Sequence, residues 1–148
     1  MATRRTFFSF KYKDDVSRAM VVRNSWVTQG KEAAGFVDAV EFERIRRGGD
    51  PAIKKWIDGQ LNGTSVTVVL VGRNTCTSRW VKYEIAKSKE IGNGLLGIDI
   101  SYINDLQGNR SKKCGKIPAG YNFYGWYSDK GRDNMGDWID KAARAAGR

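Results

Sequence analysis

Residues 65–71 read Ser-Val-Thr-Val-Val-Leu-Val. The run is β-branched and almost continuously apolar, with no polar alternation. A strand with that pattern is buried on both faces, as in the middle of a parallel sheet. Its flanks are helical. On the N-terminal side, Asp50 is a natural N-cap and Pro51 fits the first helical position, where its missing N–H costs nothing. Ile53, Trp56, Ile57, Gln60 and Leu61 then mark one face, and Gly63 supplies the stop. On the C-terminal side, residues 78–91, SRWVKYEIAKSKEI, form a second helix. A central strand between two helices predicts a βαβ arrangement.

The same alternation extends outward. Residues 5–10, RTFFSF, read as a first strand, and residues 14–26 as a helix with Asp14 and Asp15 in its first turn, where the dipole favours acids. Residues 35–38, Gly-Phe-Val-Asp, read as a short second strand, followed at 41–50 by a charged loop, EFERIRRGGD. Beyond the central strand, LLGIDI at 95–100 is a strand and 101–121 a polar surface loop. YNFYGWY at 121–127 is a last short strand, and MGDWIDKAARAA at 135–146 a final helix. Strands and helices alternate throughout, which predicts an α/β, flavodoxin-like three-layer sandwich with a central, mostly parallel sheet and right-handed crossovers. The expected strand order is 2-1-3-4-5, with ligands beyond the carboxyl ends of the strands. The loops after residues 10, 38, 72 and 100 are therefore where a site belongs.

Composition narrows the chemistry. At 148 residues the chain is sized for one domain, expected to span 1–148, and its 41% hydrophobic content supports a packed core. The absence of histidine removes a Ser-His-Asp triad, a Cys-His pair and an imidazole zinc site. No metal site is expected, and catalysis falls to carboxylates, hydroxyls, lysines, backbone amides or thiols. A net charge of +10 and a pI near 9.8 favour an anionic partner, nucleic acid included, or simply a soluble basic domain. No aromatic-basic RNA motif accompanies the charge, so nucleic acid is not the expected partner. Cys76 and Cys114 lack CxxC spacing; a reducing compartment is the simpler expectation, with one bridge the alternative. No targeting sequence or membrane span is legible, so a cytoplasmic protein is expected.

Trp80-Val81-Lys82-Tyr83-Glu84-Ile85 carries the chemical signal. On a helix, Trp80 and Glu84 share a face, and Val81 with Ile85 forms an adjacent apolar strip that docks on the sheet. Glu84 then borders the buried face near the carboxyl edge of the sheet, where partial desolvation raises a carboxyl pKa. The bland alternative is an exposed Glu84 pairing with Lys87 or Lys82. Other residues stand near the same edge by position, each with a purely structural alternative: Ser9 as a turn serine, Phe8 and Phe10, which share a face, as core, Lys11 as a solvated charge and Trp80 as packing.

The segments FFSF, FVDAVEFERIRRGGD, AIKKWIDGQLNGTSVTVVLVG, RWVKYEI and GNGLLGIDI occur in the order of the Toll/interleukin-1 receptor (TIR) domain. The chain most resembles the bacterial TIR-like proteins of the Thoeris anti-phage system, well over about residues 4–100. The resemblance implies an NAD-consuming enzyme that cleaves the nicotinamide–ribose bond and yields ADP-ribose or a cyclic ADP-ribose isomer. NAD+ is then the substrate, and no further cofactor is implied. Glu84 matches the family's catalytic glutamate in its W-x-x-x-E-I context. Phe8, Ser9 and Phe10 match the strand end that lines the pocket, and Asp38 matches an acid near the ribose or the regulatory loop; the resemblance then implies Ser9 as a donor to phosphate or ribose, Phe8 or Phe10 as a stacking ring for a base, Lys11 as a pyrophosphate contact and Trp80 as a wall beside Glu84. The resemblance also implies a cyclic signal that activates a separate effector, and self-association through the region of residues 41–50, here unusually basic. The competing readings are a non-catalytic TIR interaction module and a nucleoside 2-deoxyribosyltransferase-like enzyme. The length leaves little beyond one such domain, so an effector is expected to be a different protein.

Overall fold

The structure is a computed structural model that describes residues 5–148 apart from positions 30, 32 and 38. The strand Val66–Val71 (β3) lies at the centre of a five-stranded sheet, with all six of its residues buried. It is flanked by β1 (Thr6–Ser9) on one side and β4 (Gly94–Asp99) on the other. The edges are β2 (Ala33–Ala34), beside β1, and β5 (Asn122–Gly125), beside β4. The order is β2-β1-β3-β4-β5 and every pairing is parallel, as expected from the alternation of strands and helices.

Side-chain alternation along the strands builds two cores. Phe8, Val66, Val68, Leu70, Leu96 and Ile98 face one side, where they meet α1 (Tyr12–Val27) and α5 (Gly131–Ala145) through Trp26, Met135 and Ile139. On the other face, Val69, Val71 and Leu95 meet Val81 and Ile85 of α4 (Arg79–Glu90). Phe7 packs on that side too, with Ile57 and Leu61 of α3 (Gly49–Leu61). The expected apolar strip of Val81 and Ile85 is thus what docks α4 on the sheet. Gly94 lets α5 approach β4 closely, because a Cβ there would collide with the backbone of Ala142.

Three expectations need correction. The charged segment at 41–50 is not a loop: residues Ala39–Arg47 form a helix, α2. Glu41 pairs with Arg44 and Glu43 with Arg46, each one helical turn apart, and these pairs support the helix. Asp50 is consequently no N-cap; α3 already includes Gly49, and the Asp50 carboxylate instead takes a bidentate contact from Arg79 at 2.7 and 2.9 Å. The second strand is Ala33–Ala34 rather than 35–38. The chain turns at Gly35, whose φ of +91° few side chains adopt and whose added Cβ would strike the carbonyl oxygen of Phe8.

The cysteines are joined as well. Cys76 and Cys114 form a disulfide with Cα atoms 5.3 Å apart, in place of the two free thiols of the simpler expectation. The bridge ties the segment after β3 to the long polar segment after β4. Backbone bonds from Cys76 N to Cys114 O and from Cys114 N to Gly72 O, both 2.8 Å, flank it. No helix among the described residues is long and apolar enough to cross a membrane.

Candidate active site

At the carboxyl edge of the sheet, β1, α1, α2, α3 and the start of α4 enclose a cleft of about 340 Å³. Five of the residues singled out in the sequence line it: Phe8, Phe10, Lys11, Trp80 and Glu84. Asp38 lies outside the described residues. Ser9 stands just behind the wall and reaches the cleft through Glu84.

Glu84 occupies the second turn of α4, and Ser78 caps that helix by accepting a hydrogen bond from the N–H of Val81. Trp80, one turn earlier, lines the cleft with it. The Glu84 side chain is only 6% exposed, so the alternative of a surface Glu84 paired with a lysine is gone; Lys87 pairs with Glu90. Its Oε1 accepts a hydrogen bond from the Ser9 hydroxyl at 2.7 Å. Burial pushes the Glu84 carboxyl up to about 8, and the Ser9 hydrogen bond opposes that rise.

The surrounding residues are chemically sorted. Phe10, Tyr12 and Phe42 form a run of rings in which Tyr12 and Phe42 stack with centroids 4.0 Å apart. Ile45 of α2 with Ile53 and Trp56 of α3 extends this apolar wall. Cations stand at the rim: Lys11, Lys13, Arg46 and Arg79. Lys11 is engaged by Thr77 Oγ1 at 3.0 Å and Asp14 at 3.3 Å, which leaves one of its three N–H donors for a ligand. The Arg79 guanidinium sits 4.7 Å from the Trp80 ring centroid while gripping Asp50, so it fixes both the indole and the start of α3. Phe8 is fully buried and packs edge-on against Trp26, so it serves the core as well as the floor of the cleft.

Tyr12, Phe42, Ile45, Ile53 and Trp56 were not singled out for the site by the sequence reading. A signal existed for two of them: Phe42 and Ile45 are one helical turn apart and share the inner face of α2.

A single buried carboxylate, walled by aromatic rings and rimmed by cations at the switch point of a parallel sheet, defines a flavodoxin-like α/β domain built to hold an extended, anionic, ring-bearing ligand. Residues 7–105 match the family described as "Thoeris protein ThsB, TIR-like domain". The chain is also 44% identical, over 137 residues, to a protein of Bacillus cereus (strain MSX-D12) named "Putative cyclic ADP-D-ribose synthase ThsB1". That match covers 91% of this chain and 71% of the relative. The chain belongs to the ThsB TIR-like family.

Proposed function

We propose that this chain consumes NAD+, breaking the bond between nicotinamide and ribose and joining the ADP-ribose so released into a cyclic isomer. The observation that carries the reading is the placement of Glu84: a desolvated carboxylate facing the cleft, on the helix that follows the central strand. The name of the Bacillus cereus relative, a cyclic ADP-D-ribose synthase, points to the same product class.

The chemistry suits one carboxylate. The C1′–N bond breaks with its electron pair passing to the nicotinamide nitrogen, which neutralises a cationic ring. The leaving group therefore needs no general acid. Positive charge develops on the ribose C1′ and ring oxygen, as in glycoside cleavage. Glu84 stabilises that charge in a water-poor wall where its field is weakly screened. The aromatic run of Phe10, Tyr12 and Phe42 offers stacking faces for the bases, and the remaining Lys11 donor with Arg46 meets the diphosphate. Attack on C1′ by an atom of the same ADP-ribose closes a cycle with loss of a proton; attack by water gives ADP-ribose and a proton. Trp80 and the apolar α2–α3 wall exclude water and favour closure. The product acts as a diffusible cytoplasmic signal to a separate effector in anti-phage defence.

The test is to incubate purified protein with NAD+ and to resolve nicotinamide and nucleotide products by chromatography and mass spectrometry. Extracts of phage-challenged cells expressing the chain are analysed in parallel. Glu84→Gln is expected to lower turnover by on the order of 10²- to 10³-fold with the fold intact. Equal turnover by both proteins would remove Glu84 from the chemistry.

A further inference from the structure

Ser9 has a role that its position at a strand end does not disclose. Alternation in β1 sends Phe7 and Ser9 to the α3–α4 side of the sheet, and Phe8 to the other. Ser9 is fully buried, and its Oγ lies 2.7 Å from Glu84 Oε1. A hydroxyl carries one proton. With Glu84 ionised, a carboxylate can only accept, so that proton is committed to Oε1. A substrate phosphate or ribose oxygen that needs a donor finds none at Ser9. We infer that Ser9 is a positioning residue for Glu84: its hydroxyl favours the ionised carboxylate over the neutral acid and fixes one oxygen, leaving Oε2 to face the ribose. This inference rests on the NAD+-cleaving role proposed for Glu84.

Among the described residues nothing offers a substitute. No other hydrogen bond reaches the Glu84 side chain among the described residues. β3 presents only Val, Thr and Leu side chains. On β4 the sole titratable group is Asp99, which accepts from Ser101. From α3, Asp58 is held by the Tyr83 hydroxyl at 2.8 Å, and Lys54 stands 5.8 Å from the Tyr83 ring centroid. Among the described residues, the charged groups that line the cleft with Glu84 are Lys11 and Lys13 after β1, Arg46 of α2 and Arg79 of α4, with Asp14 paired to Lys11 and Asp50 to Arg79. Burial raises the Glu84 carboxyl and the Ser9 hydroxyl lowers it. Removing the hydroxyl leaves burial unopposed.

The experiment compares wild type, Ser9→Ala and Ser9→Cys, which is slightly larger than serine and donates weakly. The first readout needs no turnover: the Glu84 carboxyl is titrated by carbon-13 NMR in the ligand-free protein, with Glu84→Gln to assign its signal. A charged hydrogen bond of ordinary strength predicts an upward displacement of about one pH unit or more in Ser9→Ala, and a smaller one in Ser9→Cys. The second readout is kinetic. The acidic limb of kcat/KM for NAD+ moves up by the same interval, about tenfold in rate at pH 7 is lost, and KM stays within about twofold. An unmoved titration overturns the inference whether or not NAD+ is the substrate. An unmoved limb with a raised KM makes Ser9 a substrate ligand, and a uniform fall at every pH makes it structural; either outcome also overturns it. A wild type that titrates as expected yet turns over no NAD+ refutes the proposed reaction and not the hydrogen bond.

Discussion

In the proposed reaction Glu84 sets activity against stability, because the fold prefers the protonated form and the proposed chemistry needs the ionised one. Its carboxyl is raised to about 8 in the folded chain, against an ordinary value near 4.5. The folded state therefore binds more protons between those limits. The stabilisation is full below about pH 4.5 and is lost as pH rises through about 8. Asp15 acts with the same sign over a narrower window. It is fully buried and raised from 3.8 to about 6, mainly by burial, with Arg18 at 3.6 Å opposing the rise. Unfolding free energy is thus expected to fall from pH 5 to pH 8 by on the order of a few kcal/mol, while kcat/KM rises through an apparent pKa near 8. Glu84→Gln should flatten the stability profile and gain most over wild type at pH 8. Urea unfolding of both proteins at the two pH values checks this; parallel profiles would deny Glu84 its raised pKa. Of this site, Glu84 itself was legible in the sequence, because Trp80 and Glu84 share a helical face beside the apolar strip of Val81 and Ile85. Its partner was not. Ser9 and Glu84 stand 75 residues apart, and no local period registers a contact made only when α4 lies across β1.

At the scale of elements, α2 separates what composition suggests from what spacing dictates. EFERIRRGG looks like a solvated loop because charge dominates it. Yet Glu41–Arg44 and Glu43–Arg46 are each one turn apart, and so are Phe42 and Ile45. The helix turns Phe42 and Ile45 into the cleft while Val40 stays 82% exposed. The reading of Asp50 as an N-cap failed for the same reason, since a cap needs a non-helical residue before the helix and α2 runs almost directly into α3. The aromatic wall of the site therefore depends on an element that local charge disguised. Phe42→Ala removes one face of the Tyr12 stack, a contact worth about 0.5–1.5 kcal/mol. In the proposed reaction its ring meets substrate and transition state alike. The expected result is a rise in KM for NAD+ of about three- to tenfold with kcat nearly unchanged. Steady-state kinetics at fixed pH decides it, and a fall in kcat at constant KM would place Phe42 in the chemical step instead.

For the whole molecule, strand order followed from the alternation of apolar runs, but the segment between β4 and β5 had no period to read. It is held by tertiary ties. Arg18, buried in α1, donates to the carbonyls of Ile103 and Asn109 at 2.7 and 2.9 Å, and the Cys76–Cys114 bridge fastens the far end beside the short helical turn Thr75–Thr77. Thr77 and Ser78, next along the chain, line the cleft, and Ser78 caps the helix that carries Glu84. The bridge thus links the polar segment to the entrance of the site. It closes a separation of 38 residues, for which the loss of unfolded-chain entropy is about 4 kcal/mol. Reduction, or Cys114→Ser, should lower the unfolding free energy by an amount approaching that figure while the sheet and its order persist. Thiol counting on the unfolded chain, none before reduction and two after, establishes the bond. Denaturant titrations with and without dithiothreitol then measure its contribution. Coincident midpoints would mean that Arg18 and the backbone bonds to Gly72 and Cys76 hold the segment without covalent help. A separated pair of midpoints would mean that the thiol–disulfide balance around the protein decides how firmly the wall of the cleft is anchored.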